Sequence, residues 1–330
     1  MSARLYELLD LLADGKFHSG ETLGKVLGVS RAAVWKRLAT LQTLGLELHA
    51  VSGKGYRLTT PFEPLSREAI LQRIPAKSAQ LLSRMQLLHE TDSTNQQLLL
   101  AARTGEPAGS VCMAEYQSGG RGRRGRKWLS PYGSTISLSL LWRFEQGTAA
   151  LGGLSLAVAV ALMRTVTQLG LRGAGIKWPN DILVDGRKLA GILIDVGGES
   201  SGPCYVVIGI GLNYRLPQAA AAEIAQPWTD LWQHDIGVGR NEVAAVLLTH
   251  LLGVIEEYED ATITGFREEW SRWDLTRDRD VVILNGDKRI QGIARGIDEN
   301  GFLLLEQQRE IRRFAAGEVS LRQVHDETAD

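Results

Sequence analysis

Residues 182–196, Ile182-Leu183-Val184-Asp185-Gly186-Arg187-Lys188-Leu189-Ala190-Gly191-Ile192-Leu193-Ile194-Asp195-Val196, are two apolar runs joined by Asp-Gly. Asp-Gly favours a two-residue turn with positive φ at both positions, so the runs predict strands Ile182–Val184 and Leu189–Val196 in an antiparallel hairpin. Outward from this hairpin, Tyr205–Leu212 predicts another strand and Gly133–Leu141 alternates as one. Leu151–Gly170 and Glu242–Tyr258 predict helices. Strands that come in hairpins, rather than alternating strictly with helices, predict an α+β chain with a central mixed α/β domain over about 65–272.

Two smaller segments flank it. Over residues 1–62 the apolar positions of three short helices recur at helical spacing: Leu5, Leu8, Leu9 and Leu12; then Leu23, Val26 and Leu27; then Val34, Leu38 and Leu41. Ser19 and Ser30 can cap the second and third, and Gly28 falls between them, which predicts a helix-turn-helix. Strands at Leu46–Val51 and Tyr56–Leu58, joined through Ser52-Gly53-Lys54-Gly55, predict a wing. Residues 1–58 hold eight Lys/Arg against five Asp/Glu, a net +3. Ser30, Arg31, Trp35 and Lys36 on the third helix and Lys54 on the wing are therefore candidate DNA contacts. A winged helix serving only protein interaction is the alternative. Pro61 and Pro64 mark a linker. At the other end, about 276–325, short strands at Val281–Leu284, Ile290–Ile297, Phe302–Glu306, Glu310–Phe314 and Glu318–Leu321 predict a small SH3-like β-barrel, with turns at Asn285-Gly286 and Asn300-Gly301.

Composition bounds the rest. The 330 residues are 44% hydrophobic, with 37 Lys+Arg against 38 Asp+Glu, so any basic surface is local. Only two cysteines, Cys112 and Cys204, occur, far apart and without CxxC spacing. That excludes a disulfide framework and a cysteine metal site, and suits buried thiols in the cytoplasm. The uncharged stretch Gln146–Met163 opens with Gly147, Gly152 and Gly153, which favours a buried core helix over a membrane span.

Chemistry concentrates in the central domain. Gly119-Gly120-Arg121-Gly122-Arg123-Arg124-Gly125-Arg126-Lys127-Trp128 packs five positive charges and four glycines into ten residues. Glycines let backbone N–H groups approach a ligand and arginines supply forked donors, which suits a loop closing over a phosphorylated compound. The embedded GxGxxG leads into a strand rather than opening a helix, so it is no dinucleotide fingerprint. A second group, Lys177-Trp178-Pro179-Asn180-Asp181 with Arg187-Lys188-Leu189-Ala190-Gly191, is folded side by side by the Asp-Gly turn, so Lys177 and Lys188 can converge on one site; an exposed charged hairpin is the alternative, weakened by the Gly/Arg loop. Gly209-Ile210-Gly211-Leu212-Asn213 either offers a small-residue floor and an amide or is merely close sheet packing with a capped loop. Asp92-Ser93-Thr94-Asn95 either caps a helix over Gln96–Arg103 or presents polar groups to a ligand.

Taken together these strings resemble the bacterial biotin protein ligases, and the winged helix is similar to that of their bifunctional subclass, which also represses biotin synthesis. The resemblance spans essentially the whole chain; an alanine-rich stretch, Gln218–Ala225 before Trp228, departs from the pattern. It implies that Ser93, Thr94, Asn95 and Gln117 contact biotin, with Gly191 and Gly209 in the same site. Arg121, Gly122 and Arg123 would order over biotin and its adenylate, and Lys188 would meet the carboxylate. Arg123, Trp128, Asn180 and Asn213, with Arg322 from the C-terminal domain, would form the nucleotide side. The implied small molecules are ATP, biotin and Mg²⁺, with no protein metal site. The implied partners are the biotin carboxyl carrier protein of acetyl-CoA carboxylase, biotin operator DNA and, once the adenylate is bound, a second copy of the chain; no membrane is implied.

The physical logic agrees. A carboxylate attacking the α-phosphorus of ATP brings two anions together, and Lys177, Lys188, Arg121 and Mg²⁺ would neutralise them. A lysine of the carrier then attacks the acyl carbon, with Asp181 as proton acceptor or as a group orienting Lys177. A lipoate or octanoate transferase of similar fold is the enzymatic rival, and a non-catalytic ligand-sensing transcription factor the rival of another class.

Overall fold

A computed structural model describes residues 3–42, 46–198, 201–218, 222–285, 288–316 and 320–323. The chain begins with helices α1 (Ala3–Leu12), α2 (Gly20–Leu27) and α3 (Arg31–Gln42), then the antiparallel wing β1 (Leu48–Val51) and β2 (Gly55–Leu58). The caps are those the sequence predicts: Ser19 Oγ accepts from Thr22 N at 3.0 Å and Ser30 Oγ from Ala33 N at 3.2 Å. Gly28 ends α2 at φ 62°, a left-handed conformation that glycine adopts without strain. Leu8, Leu9, Leu12, Leu23, Val34, Leu38 and Leu41 form the core of this unit.

That core also takes in Tyr132 from the central domain. The Tyr6 ring stacks on His89 with centroids 4.1 Å apart, its hydroxyl donates to Glu90 at 3.0 Å, and His89 Nδ1 lies 2.9 Å from the Tyr132 hydroxyl. The connecting segment is pinned as well: fully buried Arg240 pairs with Glu115 at 2.7 Å and donates to the Glu63 carbonyl, while Glu115 accepts from Leu65 N. The winged helix is thus packed on the central domain through aromatic, apolar and buried ionic contacts.

Two short helices, α4 (Arg67–Leu71) and α5 (Ala76–Gln80), lead into β3 (Arg84–Thr91), α6 (Thr94–Arg103), β4 (Ser110–Gln117) and β5 (Thr135–Phe144). There follow α7 (Leu154–Gln168), β6 (Ala174–Lys177), β7 (Asp181–Val184), β8 (Arg187–Gly198) and β9 (Cys204–Asn213). Helix α8 (Arg240–Arg272) breaks at Thr262. The seven strands lie in the order β3-β4-β5-β9-β8-β7-β6, and every pair except β3/β4 is antiparallel, as the hairpin reading requires. Asp185 and Gly186 take φ 50° and 75° at the β7/β8 turn.

Strand alternation sorts the sheet into two faces. Ile136, Leu138 and Leu140 of β5 and Ile208, Ile210 and Leu212 of β9 point into the main core with α7 and α8. The residues between them point to the other face, which α6 covers at Leu141, Val207 and Cys112 and leaves open further along. Both cysteines are buried, and burial pushes the Cys112 thiol up to about 12. No helix among the described residues is long and apolar enough to cross a membrane; the uncharged stretch from Gln146 supplies α7, buried in the core.

The C-terminal strands β10 (Asp280–Asn285), β11 (Lys288–Ile297), β12 (Leu303–Gln307), β13 (Glu310–Phe314) and β14 (Ser320–Gln323) form one antiparallel sheet, ordered β13-β12-β11-β10-β14. Its apolar residues, Val281, Ile283, Leu303 and Leu305 among them, join the main core rather than closing a separate one. Gly286 of the predicted Asn285-Gly286 turn, Glu318 and residues 219–221 of the alanine-rich stretch lie outside the described residues.

Candidate functional site

The uncovered part of the α6 face holds a cavity of about 510 Å³. Its floor is glycine because two side chains lie against it. A Cβ at Gly211 would stand 2.3 Å from Trp128 Cε2, and one at Gly209 would stand 2.2 Å from Asn95 Oδ1. With Gly191 in register opposite Gly211, the strands offer a flat strip between Trp128 and Asn95.

One end of the strip is polar and tightly cross-linked. Gln117 Oε1 accepts from Thr94 N at 2.9 Å; Ser139 Oγ donates to Asn95 Oδ1 at 2.6 Å; Asn95 Nδ2 donates to Asp195 at 2.9 Å. Helix α6 starts at Thr94, two residues earlier than predicted, and Ser93 occupies its N-cap position without making a capping bond. The hydroxyl is therefore not consumed by the helix end, and Ser93 lines the cavity. Asp92 fastens this turn by accepting from Ser93 N at 2.7 Å, Thr91 Oγ1 at 3.0 Å and Gln97 Nε2 at 3.3 Å. Burial pushes its carboxyl up, but those bonds outweigh it and hold the group below its ordinary value.

The other end is cationic. Lys188 Nζ lies 2.8 Å from Asp181 Oδ1 and 5.7 Å from the Trp128 ring centroid, with 11% and 16% of the two charged side chains exposed. Its backbone is held by Pro227 O and Thr229 N, and Asn213 Nδ2 donates to the Thr229 carbonyl at 2.9 Å. Asn180, Asn213 and Trp228 complete this end.

The Gly/Arg segment closes over the strip as a pinched loop. Gly122 N donates to Arg126 O at 2.7 Å and Trp128 N to Gly120 O at 2.9 Å. Arg123 anchors it from above: its guanidinium donates to Asn180 Oδ1 at 3.0 Å and to the Ala316 carbonyl of the C-terminal domain. Burial holds Arg123 below the ordinary guanidinium range, which Asp181 partly offsets.

Most of the sequence-predicted residues meet here: Ser93, Thr94, Asn95, Gln117, Arg121, Gly122, Arg123, Trp128, Asn180, Lys188, Gly191, Gly209 and Asn213 all line the cavity. Three expectations change. Lys177 does not line the cavity that Lys188 lines. It shares a cross-strand row with Asp181, Gly191 and Gly211, but β6 is the sheet edge, two strands beyond Gly191, and Lys177 is not among the lining side chains. Asp181, expected as a proton acceptor or as a group orienting Lys177, pairs with Lys188 at 2.8 Å and stands opposite Lys177 in the strand register. Arg121, expected beside the reacting anions, is drawn 3.0 Å from Asp195 at the polar end, where the nearest carboxylate is. Arg322 lies on β14, and its side chain is outside the described ones.

Sequence reasoning missed Asp195, Ser139 and the Ala316 carbonyl. A signal existed for the serine: Thr135, Ser137 and Ser139 alternate with Ile136, Leu138 and Leu140 in β5, a polar stripe whose Ser139 bonds the cavity-lining Thr94 and Asn95. The winged helix presents Arg31, Trp35 and Lys36 in solvent, and Lys54 at the exposed wing tip. Among the described residues, no three His, Cys, Asp or Glu side chains gather to hold a metal.

Comparison with known proteins agrees with this architecture. Residues 87–213 match the Biotin/lipoate A/B protein ligase family, residues 4–57 an HTH domain and residues 278–322 the Biotin protein ligase C terminal domain. The chain is 42% identical to the Bifunctional ligase/repressor BirA of Escherichia coli over 96% of both chains. It is 32% identical to that of Bacillus subtilis over 96% of this chain and 98% of the other. A biotin protein ligase from Aquifex aeolicus, solved in complex with biotin and ATP, superposes with a TM-score of 0.60 at 26% identity, over 73% of this chain and all of that one.

Proposed function

Because the chain belongs to the biotin protein ligase family and carries the N-terminal helix-turn-helix of its ligase/repressor members, we infer that it is an ATP-dependent biotin–protein ligase and a biotin-responsive repressor. It activates biotin as biotinyl-5′-AMP, passes the biotinyl group to a lysine of the biotin carboxyl carrier protein, and binds operator DNA. The observation that carries the ligase reading is the glycine strip with hydrogen-bonding groups at one end and Lys188 at the other. A ligand with a polar head, an apolar body and a terminal carboxylate fits it end to end.

The head group would sit among Ser93, Thr94, Asn95 and Gln117. There Asp195 and Ser139 fix the Asn95 amide, so its orientation need not be set on binding. The carboxylate would then reach Lys188, whose ammonium Asp181 aims along the strip. Attack on the α-phosphorus forms the acyl–phosphate bond and releases pyrophosphate; Lys188 and Arg123 face the charge that develops. ATP enters as its magnesium complex, a substrate rather than a resident metal site. Trp128, Asn180 and Asn213 would border the nucleotide. The loop over 120–128 shields the mixed anhydride from water until a carrier lysine attacks the acyl carbon and AMP leaves.

Two buried thiols and dependence on ATP suit the cytoplasm. DNA binding by a small unit of net +3 favours two copies on two half-sites, so the adenylate would act by promoting a dimer. The direct test is ATP–pyrophosphate exchange with biotin or lipoate as the acid. Exchange with biotin alone is expected; exchange with lipoate alone would overturn the reading in favour of the lipoate branch.

A further inference from the structure

The helix-turn-helix leaves one large aromatic side chain in water. Trp35 is 66% exposed on α3, whereas Val34 and Leu38 of the same helix are buried in the N-terminal core. Its neighbours on the exposed face at i−3 and i+4 are the short Ala32 and Ala39, which leave the indole standing out from the helix. Arg31 one turn before it and Lys36 beside it are exposed too. The exposed charges on this face of α3, Arg31 and Lys36, are both cationic, and lysine is depleted at protein-docking surfaces. A ring set between cations on the second helix of a helix-turn-helix is instead placed for a groove, where the cations meet phosphates and the ring meets base edges.

An indole has one polar atom, a donor; the rest is hydrocarbon. The apolar group on the major-groove edge of DNA is the C5-methyl of thymine. We propose that Trp35 reads a thymine methyl in each operator half-site and thereby sets part of the sequence preference, with Arg31 and Lys36 supplying charge that does not depend on sequence. This rests on the operator-binding reading above. Burying one methyl corresponds to about fourfold in affinity per half-site, and about fifteenfold for a dimer reading two.

The test uses the full chain with biotin and ATP to select duplexes from a random pool at physiological salt. In the selected duplexes each thymine is then replaced by deoxyuridine, which differs only by that methyl. One thymine position per half-site should lose about fourfold on replacement, and Trp35→Ala should bind the thymine and deoxyuridine duplexes equally. Because Trp35 is exposed, the variant should keep the parent's thermal midpoint, which is measured alongside. If no replacement weakens the parent, or if Trp35→Ala retains the difference, the assignment is overturned while the repressor reading stands. A parent that selects no sequence overturns both.

Discussion

Lys188→Ala separates charge at the reacting carboxylate from charge needed merely to balance Asp181. In the structure these are one ion pair at 2.8 Å with 11% and 16% of its side chains exposed. Truncating the lysine leaves a mostly buried carboxylate without its cation. A fully buried orphan costs about 3–5 kcal/mol and an exposed pair contributes about 1 or less, so a loss of about 2 kcal/mol is expected here. Loss of a positive group facing the developing charge should cost more, about 3–4 kcal/mol or roughly 10²–10³ in rate. The double variant Lys188→Ala/Asp181→Asn distinguishes the two effects, since it removes the orphan charge without restoring the cation. Urea unfolding should place it within about 1 kcal/mol of the parent, while biotin-dependent pyrophosphate exchange stays at least about 10²-fold down. If the double variant regains exchange to within about threefold of the parent, Lys188 only balances Asp181 and its catalytic assignment is wrong.

Gly211→Ala places a methyl 2.3 Å from the Trp128 ring; overpacking of about 1–3 kcal/mol should push the indole off the strip and lower kcat/KM for adenylation by about tenfold or more, read by exchange kinetics. Arg123→Gly removes the anchors to Asn180 and Ala316, so biotinyl-adenylate should escape about ten- to a hundredfold faster, measured by single-turnover release and by biotin appearing on bystander lysines. Tyr6 is pushed up to about 12 by burial and by its bond to Glu90. Its folded value lies above its unfolded one, so its contribution is intact below about pH 10 and is lost as pH rises through about 12; Tyr6→Phe should abolish that step in urea unfolding followed across the range.

Period and turn chemistry made the architecture legible, because both are local. Asp185-Gly186 dictated the hairpin, alternation in β5 and β9 marked a sheet with two faces, and Ser19, Gly28 and Ser30 punctuated the helix-turn-helix. The site was legible in its glycines and arginines, since few other residues allow close approach or forked donation. What the sequence could not reveal was partnership across distance. Asp195 meets Arg121 across 74 positions and Asn95 across 100, and nothing in its surrounding apolar strand marks it as the group that takes Arg121 away from the reaction centre. The place of Lys177 was hard to read for a related reason. A hairpin brings residues side by side, but which strand is the edge depends on the order of the whole sheet, and β6 proves to be outermost.

On the ligase reading proposed above, the same long-range bonds would let one loop both admit ligands and retain an intermediate. Its glycines carry little side-chain packing, so the segment over 119–128 is held at a few points: Arg121 on Asp195, Arg123 on Asn180 and on the Ala316 carbonyl, and Trp128 on the glycine floor. Each point belongs to a different part of the fold, namely β8, the turn before β7, the segment after β13, and the strip formed by β8 and β9. Releasing the two arginines from their three acceptors, Asp195, Asn180 and the Ala316 carbonyl, would free the loop without breaking a bond to any strand of the main sheet other than at Asp195. Closing it again requires the C-terminal sheet to be docked, since Ala316 follows β13 and Phe314 of that strand is part of the main core. On that reading the small C-terminal domain is mechanically part of the ligase site, although it contributes a backbone carbonyl rather than a chemically distinctive side chain at that contact.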